Sequence, residues 1–127
     1  MSFFDIVGAC FFKPLTSSYK EVYFDCLNMI YDLCKYQMSN SEEKGVVVEH
    51  LADYFEERNQ KKFVFEEEGE ENFADSRAVA FEFIRKLKNF GWIDEEIGKN
   101  YISRIYFNDY AITLLESFRK IVSEEEA

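Results

Sequence analysis

Apolar positions in the second half of the chain recur first at helical spacing, then at strand spacing, then at helical spacing again. Between Ser76 and Phe90, the residues Ala80, Phe83, Ile84, Leu87 and Phe90 lie three or four apart, so this stretch predicts an amphipathic helix. Asp75 stands where its carboxylate can accept from the unpaired N–H groups of the first turn. Gly91 follows the last periodic residue, where a left-handed residue commonly closes a helix. Trp92 and Ile93 open a β-rich run, Gly98-Lys99-Asn100 supplies turn chemistry, and Tyr101 to Phe107 forms a second such run. Asn108 is placed to cap a last helix with Ala111, Leu114, Leu115, Phe118 and Val122 inward. Helix, tight stop, hairpin and helix between Asp75 and Val122 make the winged helix-turn-helix pattern. The expected fold is mainly α with a small β-hairpin wing, a single winged-helix domain over residues 1–127.

The first half supplies the supporting helices. Ser18 and Glu21 have the spacing of a capping box, and Val22, Tyr23, Cys26, Leu27, Ile30, Leu33 and Cys34 then repeat every three or four residues. Ser39-Asn40-Ser41 reads as a stop or turn. A second helix is expected over Val46–Asn59, with Val47, Val48, Leu51, Ala52 and Phe55 inward and Glu49, His50, Asp53, Glu56 and Glu57 outward. Lys61 to Phe73 breaks the pattern: Phe63-Val64-Phe65 suits a short strand, and residues 66–72 read as an acidic, solvated, mobile loop. Phe3 to Leu15 is apolar without a clear period. It reads as an arm packed on its own domain or on a second subunit, which makes Phe3, Phe4, Ile6, Val7, Phe11 and Phe12 candidate dimer contacts.

Composition narrows the function. A chain that is 47% hydrophobic and 18% aromatic is far too apolar to be disordered, and the aromatic excess points to an interface. A net charge of −10 repels a phosphate backbone and argues against direct nucleic-acid binding by this domain. The helix after Asp75 nevertheless carries Arg77, Arg85, Lys86 and Lys88, the candidate DNA contacts if the domain were a DNA-binding transcriptional regulator. The expected wing reverses the sign with Asp94, Glu95 and Glu96 against Lys99 and Arg104, whereas readers of this type use phosphate contacts from both elements.

Chemistry is sparse. His50 is the only histidine, no cysteine stands at ligand spacing from it, and the acidic run lacks the alternating spacing of a calcium loop. No glycine-rich phosphate loop and no nucleophile elbow appears, so no catalytic, metal or cofactor-binding residue is assigned and a non-enzyme is expected. Cys10, Cys26 and Cys34 read as reduced thiols of a cytoplasmic protein. No signal peptide and no membrane span is apparent.

The run Phe11-Phe12-Lys13-Pro14-Leu15-Thr16-Ser17-Ser18, followed by Tyr23, Asp25, Leu27 and Tyr31, resembles the amino-terminal start of the JetA family. Phe83-Ile84-Arg85-Lys86-Leu87, Phe90-Gly91-Trp92-Ile93-Asp94 and Asp109-Tyr110-Ala111-Ile112-Thr113-Leu114-Leu115 are similar to that family's winged-helix segment. JetA is the kleisin-like subunit of Wadjet, an SMC-type plasmid-defence system, and is related to MukF and MksF. The resemblance implies the amino-terminal fragment of a longer protein. Its winged helix would mediate protein–protein association and dimerisation, with an SMC-type ATPase subunit and other Wadjet subunits as partners of the rest.

Overall fold

A computed structural model describes residues 1–37 and 39–126; Met38 and Ala127 lie outside the described residues. The amino-terminal arm is helical. Ser2 Oγ accepts from the Asp5 N–H while the Asp5 carboxylate accepts from the Ser2 N–H, a reciprocal box that starts α1 (Phe3–Val7). Gly8, at φ 88°, ends that turn. Helix α2 (Lys13–Thr16) carries Pro14 in its first turn, where the missing N–H costs nothing.

Helix α3 (Lys20–Lys35) buries Val22, Tyr23, Cys26, Leu27, Ile30 and Cys34, the stripe that the periodicity predicts. Its expected start is not observed. Ser18 and Glu21 form no capping box; Ser17 Oγ instead accepts from the Tyr19 N–H at 3.0 Å, and Tyr19 occupies the cap position without a side-chain bond to the helix. The Tyr19 side chain is committed elsewhere. Its ring lies against Phe63 and Phe65, and its hydroxyl accepts from the Val64 N–H at 2.7 Å.

Ser41, expected in a turn, opens strand β1 (Ser41–Glu43), and α4 (Lys44–Arg58) follows directly, closed by left-handed Asn59 at φ 51°. Residues 66–72, expected as a mobile loop, are the turn and second strand of a hairpin. Strand β2 (Lys62–Phe65) pairs antiparallel with β3 (Gly69–Asn72). A strand as acidic as β3 has little propensity of its own. It is held because Phe63 and Phe65 point inward onto Phe83, at ring separations of 5.2 and 6.0 Å.

Helix α5 (Ser76–Asn89) starts where Asp75 Oδ1 accepts from the Ala78 N–H at 2.8 Å. Gly91, at φ 91°, turns the chain into β4 (Ile93–Ile97). An ideal Cβ at Gly91 would sit 3.3 Å from the Val7 carbonyl oxygen, so a side chain there is disfavoured by the positive φ and crowded by the arm. Strand β5 (Ser103–Phe107) returns antiparallel and lies centrally in a sheet of order β1-β5-β4. Helix α6 (Asp109–Glu126) follows. The Asn108 side chain, expected to cap it, donates instead to the Gly91 carbonyl at 2.7 Å. Ala111 and Leu115 are buried, but Val122 and its neighbour Ile121 are exposed.

The described chain is about 60% helix with small antiparallel sheets, an architecture compatible with a winged helix. Much of the aromatic excess lies inside: Trp92, Phe11, Phe55, Phe63 and Phe83 are among the largest fully buried side chains.

Candidate interaction surfaces

The arm divides the six candidate dimer contacts into two groups. Phe11 and Val7 do not reach the surface, which corrects the expectation for both. Phe11 is fully buried, its ring stacked on Trp92 at 4.0 Å between centroids and 12° between planes. Trp92 Nε1 also donates to the Phe11 carbonyl at 2.6 Å, so ring and main chain are held by one indole. Val7 is 4% exposed and belongs to the same buried core. These residues belong to the protomer's own core, where the arm passes over the turn at Gly91. Phe3, Phe4 and Ile6, by contrast, are 48%, 58% and 53% exposed. Phe12 is half-buried with the rings of Phe3 and Phe4 at 6.0 and 6.4 Å, so the four form one apolar patch around α1.

The four candidate DNA contacts are each met by carboxylates of the chain. Arg77 binds Glu49 of α4 at 2.6 Å. Arg85 binds Glu82 one turn back and reaches Glu68 of the hairpin at 3.5 Å. Lys88 binds Glu95 of β4 at 3.2 Å, and Lys44 binds the same carboxylate at 3.0 Å. Burial alone would raise the Glu95 carboxyl, but hydrogen bonds from Lys44, Lys88 and Ser103 outweigh it and hold it below the usual carboxylate range. Lys86 corrects the expectation outright. It is 6% exposed, paired with Glu68 at 3.0 Å and poised 4.0 Å over the Phe65 ring, so it faces the hairpin and offers nothing to a phosphate. Its hydrogen bond in turn holds the Glu68 carboxyl below the usual range.

Two exposed features escaped sequence reasoning. Phe81, midway along α5, is 44% exposed with Lys44 and Arg77 5.7 and 5.8 Å from its ring. The β4–β5 tip displays Ile97, Tyr101 and Ile102, and Tyr101 holds a left-handed φ of 59°.

Among the described residues, no group of three or more His, Cys, Asp or Glu side chains is arranged to hold a metal ion, and no helix is long and apolar enough to cross a membrane. His50 lies exposed on α4.

A family model described as Wadjet protein JetA matches residues 29–127. The chain belongs to the JetA family. It is thereby a component of a Wadjet system, which implies a multi-subunit complex. The match begins inside α3 and takes in β1, α4, both hairpins, α5 and all of α6, so the JetA assignment covers the paired cations as well as the Phe81 face. The arm and the run Phe11–Ser18 precede the matched residues. No curated protein and no solved structure matches the chain.

Proposed function

We propose that this domain is a non-enzymatic, kleisin-like scaffold of the Wadjet complex, a winged helix that works by protein–protein association and forms a homodimer through its arm. In this reading α4 and α5 take the helix-turn-helix positions and β4–β5 is the wing. ATP hydrolysis falls to an SMC-type ATPase subunit bound by other parts of the protein. The observation that carries the reading is the patch of Phe3, Phe4, Ile6 and Phe12, where three side chains are about half exposed on a helix of one turn. Burying a Phe or Ile side chain contributes about 1.5–3 kcal/mol, so a patch of this size is a favourable centre for an interface. The charge distribution supports a protein partner over DNA, since phosphate binding requires cations free to replace counterions and those of α5 are already paired.

Light scattering on the purified chain, at several concentrations and two salt levels, tests this. A dimer that survives both salts is expected, and the double variant Phe3→Asp, Phe4→Asp should be monomeric, with an unfolding midpoint close to that of the dilute wild-type chain. A wild-type monomer at tens of micromolar would refute the dimer reading.

A further inference from the structure

A groove of about 480 Å³ runs between the hairpin on one side and α2 with the start of α3 on the other. That volume lies in the range of sites that take a small molecule or a few side chains. Its walls are aromatic, formed by Tyr19, Tyr23, Phe65 and Phe90, and the turn residues Glu66, Glu67 and Glu68 form its lip. Two lysines also line it, and both are already neutralised: Lys13 by Glu67 at 2.5 Å and Lys86 by Glu68 at 3.0 Å. Glu66 makes no ion pair among the described residues. Burial pushes the neighbouring Glu71 carboxyl up, and the carboxylates of Glu82 and Glu68 push it further, so negative charge is in excess around the lip.

Tyr23 supplies an independent polar contact point in the groove. It is 2% exposed, and its hydroxyl makes no hydrogen bond among the described residues. No fully enclosed side-chain polar atom there lacks a partner, so this hydroxyl opens on the groove, where its lone pairs are free to accept. The groove also shows what it can hold. It already seats one cation, Lys86, against an aromatic face with a carboxylate beyond it.

We propose that this groove docks a basic side chain, an arginine or lysine carried on an extended segment of a partner protein. Aromatic faces attract the cation, the excess carboxylate at Glu66 pairs with it, and the Tyr23 hydroxyl accepts from its N–H groups. The exposed side chain of Val64, on the same rim, covers the aliphatic stem. The carboxylate lip excludes a phosphate backbone from the same place. This surface is separate from the apolar patch on α1, so loss of dimerisation and loss of groove binding would be told apart by different variants.

The test is an NMR titration of the whole ¹⁵N-labelled chain with acetyl-Gly-Arg-Gly-amide and acetyl-Gly-Lys-Gly-amide, using acetyl-Gly-Glu-Gly-amide as control. Saturable shifts confined to the amides around Ser18, Val64, Glu66 and Asn89 are expected with the basic peptides. Tyr23→Phe, which keeps the ring, should weaken binding about fivefold, the loss of one hydrogen bond. Glu66→Gln should weaken it at low salt by a similar factor. No saturable shift, equal shifts from the glutamate peptide, or undiminished binding by both variants would overturn the proposal.

Discussion

Phe11→Ala is the substitution that most directly separates the protomer's own core from any interface. The Phe11 ring is fully buried and stacks on an equally buried Trp92 at 4.0 Å. Truncating a buried Phe costs about 3–5 kcal/mol through lost transfer energy and the cavity left behind. Relaxation is limited here, because the opposite wall is a rigid indole pinned to the Phe11 carbonyl, and that main-chain bond persists in the variant. A loss of about 4 kcal/mol is about a quarter or more of the stability of a typical domain, which is about 5–15 kcal/mol. Urea unfolding followed by circular dichroism, at two chain concentrations tenfold apart, gives the measurement. The midpoint should drop by the same amount at both concentrations, whereas Phe4→Ala should change dilute-chain stability by only about 0.5 kcal/mol. A Phe11→Ala cost below about 1 kcal/mol, or one that vanishes on dilution, would refute the reasoning, since an interface contact behaves in that way.

Other expectations follow from the same contacts. Glu68 has its folded-state pKa held beneath the ordinary 4.5 by Lys86, so the stability it contributes is present above that value and is lost as pH falls through and below it. Lys86→Met should flatten that acid limb of the stability profile; an unchanged limb would count against the pair. Glu71 is shifted the other way, so Glu71→Gln should leave stability unchanged or raise it near neutral pH, measured as an unfolding midpoint. Burial pushes the Cys34 thiol up to about 11 and Cys26 further still, so both should resist a disulfide reagent until the chain is unfolded, while half-buried Cys10 reacts first. Gly91→Ala, at φ 91° and 3.3 Å from the Val7 oxygen, should cost about 1–3 kcal/mol in thermal or urea unfolding.

Sequence patterning served best where structure is set locally. Helix α5 is delimited by Asp75 and Gly91 and carries an unbroken stripe, so its course is legible from residues within a few turns of one another. It served least where tertiary partners decide. Phe3 and Phe11 are both phenylalanines of one apolar run, and distant partners, Trp92 (81 residues from Phe11) and Tyr110, bury one while the other stays half exposed. Ser17 and Ser18 compete for one turn, and the outcome follows from Tyr19 being drawn to the hairpin. Strand β3 reads as Gly-Glu-Glu-Asn, which no propensity assigns to a sheet; Phe63 and Phe65 on its partner hold it there. The charges of α5 are visible in the sequence, but their neutralisation by Glu49, Glu68 and Glu95 requires three elements to converge.

The indole that fastens the arm is the only tryptophan in the chain. The protein therefore carries a built-in optical gauge where its arm meets its body. With the arm seated, that chromophore lies in a dry aromatic environment and its emission belongs at short wavelengths. Any event that lifts the arm while the remaining core stays folded would admit water to this one group and move the emission to the red. Followed beside circular dichroism, which tracks the remaining core, an unlabelled chain can thus report the arm's departure in real time and at concentrations too low for light scattering.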